Sequence, residues 1–116
     1  MGAGHNSRIT DKLPHNFMRV GLLSAVMPNA KIIHCVRDPK DTCLSIFTHF
    51  FSAAHSYASD LKELGQYYRL YEQLMLDWEA RFPGRMHRIS YESLVAHHER
   101  EINQLLEYCG LPFEPG

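Results

Sequence analysis

Arg37 and Ser45 stand eight positions apart around the stretch Asp38-Pro39-Lys40-Asp41, and residues of these types at this spacing can grip an anion. A planar guanidinium binds phosphate bidentately, and a serine in the second turn of a following helix adds a hydroxyl donor. Arg37 ends a short apolar run and Asp38-Pro39 opens a helix, so the two meet at a strand-to-helix corner. Such a corner points unpaired N–H groups and a partial positive charge beyond the strand. The residues alone equally allow Arg37 to pair with Asp38 or Asp41, with Ser45 a small helical residue and Arg-Asp-Pro a good helix start without any ligand.

The other chemistry-bearing residues are less organised. His15 titrates in the range useful to a general base, though its place before a helical pattern also suits a cap or a surface role. His97-His98-Glu99 is not the metal-binding H-E-x-x-H, because Ile102 stands where the second ligand belongs, and no metal is expected. Cys35, Cys43 and Cys109 have no C-x-x-C spacing, which argues against a disulfide framework and for a reducing, cytoplasmic setting. Gly2-Ala3-Gly4 has no strand before it and Ser7 at the third glycine position, so it does not read as a nucleotide loop.

The elements that must position these residues follow from periodicity. Phe17, Val20, Leu23 and Met27 recur at helical spacing up to Pro28, with His15 or Asn16 as the N-cap. Lys31 to Val36 suits a parallel strand buried on both faces. Asp38 as N-cap, Pro39 at the first helical position and Asp41 in the first turn start a helix reaching about Ala53, with Leu44, Phe47, Phe50 and Phe51 as its apolar face. Leu61, Leu64, Tyr68, Tyr71, Met75, Trp78 and Phe82 mark the longest helix, with Asp60 and Glu63 as a capping pair. Aromatic stripes at this spacing are more often core than ligand platform. Arg85 to Ser90 makes a second strand after Pro83-Gly84, and Ser93 to Cys109 a helical stretch in one or two pieces, stopped by Gly110 and Pro112. Helix, strand, two helices, strand and helix make an α/β layer, and two strands make a poor sheet, so the chain reads as part of a larger α/β domain.

Composition is that of a globular chain of one domain: 116 residues, 45% hydrophobic and 22% charged, with a formal net charge of −1. There is no overall basic field to draw nucleic acid or anionic lipid, and no apolar run long enough to cross a bilayer. Residues 1–10 lack the apolar centre of a signal peptide, and Asn6 stands where a myristoylation signal needs Ser or Thr, so a disordered tail is expected there.

The segment V36-R37-D38-P39-K40-D41-T42-C43-L44-S45 resembles the 3′-phosphate-binding segment of sulfotransferases that use 3′-phosphoadenosine-5′-phosphosulfate (PAPS). D11-K12-L13-P14-H15-N16-F17, P28-N29-A30-K31-I32-I33-H34, L74-M75-L76-D77-W78, Y91-E92-S93-L94-V95 and L105-L106-E107-Y108-C109-G110-L111 are similar to successive landmarks of that family, in order. The likeness is closest to the bacterial and tetratricopeptide-linked branch, with tyrosylprotein sulfotransferases further off. It implies a partial P-loop-like sulfotransferase fold over residues 11–116, with parallel strands at about 31–36 and 85–90 and flanking helices. It also implies Arg37 and Ser45 on the 3′-phosphate and Tyr91 near the adenine, although Tyr91 also suits core packing with a tethered hydroxyl. Lys12 matches the catalytic lysine of the tyrosylprotein branch, which steadies charge on the bridging and sulfuryl oxygens. Cytosolic phenol and steroid sulfotransferases carry a histidine in that place, so the general base stays unassigned.

The resemblance implies PAPS as co-substrate, no metal, and a sulfuryl transfer to a hydroxyl or amine acceptor. Nothing before Thr10 resembles the family's 5′-phosphosulfate loop, and no counterpart of the closing C-terminal portion is seen. Activity is therefore expected only with those elements supplied by a longer chain or a partner. The alternative is an inactive remnant serving as a nucleotide-binding or interaction module, through self-association or a partner chain covering the incomplete sheet.

Overall fold

A computed structural model describes residues 8–49 and 60–114. The expected tail lies outside the described residues as far as position 7, as do Phe50, Phe51 and the remainder of the second predicted helix.

The first predicted helix forms in two parts, a 3₁₀ segment Pro14–Arg19 running into α1 (Val20–Val26). Neither His15 nor Asn16 caps it. Leu13 holds the N-cap position without a side-chain bond, and the Asn16 amide reaches back to Asp11 Oδ2 at 2.8 Å. Pro14 at the first position fixes φ and needs no capped N–H, so the tighter 3₁₀ turn starts there. β1 is Ile32–Val36, and α2 is Pro39–Thr48 with the Asp38 carboxylate accepting from the N–H groups of Lys40 and Asp41. α3 is Leu61–Arg81, capped in the same way by Asp60 through the N–H groups of Lys62 and Glu63. β2 is Met86–Ser90, and the last helical stretch divides into α4 (Tyr91–Ala96) and α5 (His98–Cys109). Gly110 ends α5 at φ 64°, a left-handed conformation that a side chain would oppose, while Leu111 N–H closes onto the Leu106 carbonyl at 2.9 Å.

β1 and β2 pair in parallel, Ile32 opposite Met86 through Val36 opposite Ser90. β1 is not buried on both faces as expected. Ile32, His34 and Val36 are half-buried while Ile33 and Cys35 are exposed, because the described helices cover only one side of it. The expected apolar face of α2 also differs. Leu44 and Phe47 are exposed, and the half-buried positions of α2 are Thr42, Cys43, Ser45 and Ile46, of which Thr42 and Ile46 share a cavity with Tyr68 of α3.

The stripe of α3 is core for most of its length. Leu64 and Met75 are buried, Tyr68, Tyr71, Trp78 and Phe82 are half-buried, and Leu61 alone of the seven is exposed. Trp78 lies under α1 and donates from Nε1 to the Phe17 carbonyl at 2.8 Å. Tyr108 of α5 ties the starts of both strands, accepting from Ile32 N–H at 3.3 Å and donating to the Arg85 carbonyl at 2.6 Å. Among the described residues no helix is long and apolar enough to cross a membrane.

Candidate functional site

Parallel pairing ends both strands on the same side, so Arg37, one residue beyond β1, comes beside Ser90 and Tyr91 at the end of β2. The Arg37 guanidinium lies 5.3 Å from the centroid of the Tyr91 ring, a cation–π arrangement between residues 54 positions apart in sequence. Its Nη2 also donates to Asp41 Oδ2 at 3.2 Å across one turn. The pair is open to water, with side-chain exposures of 46% and 57%.

Glu92 closes the corner from the β2 side. Its Oε1 accepts from the Asp38 N–H at 2.8 Å and its Oε2 from the Ser90 hydroxyl at 2.7 Å. These bonds, the backbone one first, hold its carboxyl below the usual value of 4.5. Asp38 in turn occupies the first N–H groups of α2, at 2.8 Å and 3.1 Å. Sequence reasoning missed Glu92, and the Ser-x-Glu spacing at the head of α4 was the only local signal of it.

Arg37 stands at the meeting of two cavities. One, about 500 Å³, is lined by His15, Phe17, Thr42, Ile46, Tyr67 and Tyr91 besides Arg37. The other, about 480 Å³, lies over the opposite flank, with His34, Tyr71, Glu79, Arg88 and Glu92 on its walls. Arg37 and Tyr91, both expected at the site, are thus brought together. Ser45 sits half-buried on α2 and Lys12 is exposed ahead of the 3₁₀ segment, and neither lines these cavities. His15, weighed as a base, does line the first.

A second polar pair went unnoticed in the sequence. The Tyr71 hydroxyl shares a short hydrogen bond with His34 Nε2, while His34 Nδ1 is buried without a partner. Burial first, and Arg88 second, lower the pKa of His34, with Glu79 opposing. Burial raises the phenol of Tyr71 to about 12. The ring of Tyr71 also meets Phe17 edge-on at 5.1 Å, joining β1 to the 3₁₀ segment that follows Lys12. Among the described residues no group of three or more His, Cys, Asp or Glu is placed to hold a metal.

A guanidinium beside an aromatic ring at the carboxyl ends of parallel strands is suited to an anionic ligand carrying a flat group. The sequence model of the sulfotransferase family matches residues 2–115. An uncharacterized protein of Aquifex aeolicus is 40% identical over 110 residues, which cover 92% of this chain and 14% of that protein. The omega-hydroxy-beta-dihydromenaquinone-9 sulfotransferase of Mycobacterium tuberculosis is 30% identical over 109 residues, covering 86% of this chain and 28% of the enzyme. The solved sulfotransferase domain from the curacin biosynthetic pathway superposes with a TM-score of 0.68 at 25% identity, over 90% of this chain and 39% of that one. The chain therefore spans well under half the length of each of these relatives.

Proposed function

The chain belongs to the sulfotransferase family, and on that premise we propose that it supplies the 3′-phosphate-binding half of a PAPS site, for transfer of a sulfuryl group to a hydroxyl or amine acceptor. The observation that carries this reading is the Arg37 guanidinium standing 5.3 Å over the Tyr91 ring at the carboxyl ends of β1 and β2. The donor chemistry fits the nucleotide: a delocalised cation for a phosphate and a flat phenol for the side of an adenine. In this reading Arg37 and Ser45 hold the 3′-phosphate, Tyr91 orients the base, and Lys12 is the catalytic residue. PAPS when bound supplies the activated sulfuryl group.

Titration calorimetry with adenosine 3′,5′-bisphosphate on the 116-residue chain tests the reading. Binding that Arg37→Ala weakens at least tenfold, with adenosine 5′-phosphate binding poorly to both, supports it. No binding, or equal binding by wild type and Arg37→Ala, overturns it.

The second reading, an inactive nucleotide-binding or interaction module, draws on β1, which among the described residues pairs on one edge only and leaves Ile33 44% exposed. Turnover measured in a longer polypeptide containing this chain separates the two, since a module binds nucleotide without transferring sulfate.

A further inference from the structure

Several donors at the strand-to-helix corner already have a carboxylate oxygen against them. Asp38 takes the N–H groups of Lys40 and Asp41, Glu92 takes the N–H of Asp38, and Asp41 takes the guanidinium of Arg37. The three carboxylates are not equally fixed. Asp38 makes two bonds to backbone and Glu92 one to backbone and one to Ser90, so removing either frees a helix end or a cross-strand link. Asp41 makes a single side-chain contact of 3.2 Å, and its side chain is 57% exposed. An exposed pair of this kind contributes little, so a ligand can displace it. The carboxylate nonetheless puts a full negative charge beside the place a phosphate must enter.

We infer that Asp41 is an internal competitor that holds Arg37 until a phosphate group replaces it. The inference rests on the nucleotide-binding reading of Arg37. A singly charged anion offers the guanidinium no more than Asp41 already does, and also meets repulsion from it. A phosphate monoester near neutral pH carries close to two charges and three strong acceptor oxygens, so the exchange favours it. Asp41 therefore costs affinity for any anion that takes Arg37, and most for the one of highest charge.

The test is calorimetry on the full chain with adenosine 3′,5′-bisphosphate and adenosine 5′-phosphate, comparing wild type, Asp41→Asn, Asp41→Ser and Arg37→Ala. Asp41→Ser removes the charge while keeping a hydroxyl at the helix start, and serves should Asp41→Asn fold poorly. The expected result is a gain of roughly three- to tenfold for the bisphosphate in both Asp41 variants, and little change for adenosine 5′-phosphate, which has no 3′-phosphate for Arg37. Unchanged or weaker bisphosphate binding in both Asp41 variants, with wild-type binding intact and dependent on Arg37, overturns the inference and leaves the site standing. Failure of all four proteins to bind the bisphosphate overturns the site and the inference together.

Discussion

Arg37 has two neighbours that compete for meaning, Asp41 in the first turn of the helix that follows it and Tyr91 across the sheet. The first was open to inspection in the sequence, since an aspartate four positions after an arginine is within reach on a helix. The second was not derivable from spacing, because only strand pairing brings position 91 to position 37. Lys12 carries the catalytic proposal, and in an active polypeptide containing this chain Lys12→Ala should lower kcat roughly a hundredfold, on the scale of losing one charge-stabilising donor. Nucleotide affinity, read by calorimetry, should change less than threefold. An unchanged kcat removes Lys12 from the chemistry. His34 makes a separate prediction about pH. Its folded pKa lies below 6.5, so between 6.5 and that lower value the unfolded chain holds the extra proton. The contribution to stability is complete above 6.5 and is lost as pH falls through the folded value. Wild-type melting temperature should drop between pH 7 and pH 5.5, with His34→Gln showing a shallower drop. Parallel profiles for the two proteins refute the assignment.

At the scale of elements, propensity and capping chose most boundaries. Asp38 and Asp60 were legible as caps because a carboxylate before a proline or a leucine-led periodic run has few other local uses, and both accept two backbone N–H groups. Strand existence was legible from β-branched runs between turn residues. Which face of an element is covered was not, because it depends on a neighbour: α2 half-buries Thr42, Cys43, Ser45 and Ile46 and leaves Leu44 and Phe47 exposed. Gly21 is the clearest case of a contact invisible in sequence. A Cβ there would stand 2.8 Å from two ring carbons of Trp78, and that ring is held by its bond to Phe17 and by Phe82 at 5.9 Å. Alanine gains about 1 kcal/mol over glycine in an open helix, whereas overpacking costs about 1–3 kcal/mol. Gly21→Ala should therefore fall short of the gain an exposed site returns, with a net loss of up to about 2 kcal/mol, seen as a lower urea midpoint at unchanged slope. A raised midpoint would mean that Trp78 moves aside freely.

For the whole molecule the balance is thin. Among the described residues the fully covered apolar side chains are Val20, Leu64, Met75 and Ile89, while Leu22, Val26, Leu70 and Val95 are each more than 60% exposed. A small core makes ligand binding a large fraction of total stability. At a hundredfold excess over Kd a ligand adds about 2.7 kcal/mol, which for a domain of this size raises Tm by roughly 10 °C. Adenosine 3′,5′-bisphosphate should produce such a shift in a fluorescence melt of wild type and not of Arg37→Ala, and equal shifts in both would place the ligand elsewhere. By itself the sequence determined the α/β order, the parallel strands, the helix caps and the sulfotransferase family, because each is written in local periodicity, in residues with few conformational options, or in a motif of fixed spacing. Only the tertiary structure decided that Arg37 stands over Tyr91, that Glu92 locks Asp38, that His34 meets Tyr71, and that β1 has one open face. Those relations join positions tens of residues apart, and what brings them together is the pairing of two strands and the packing of α3 across them, which no local pattern encodes.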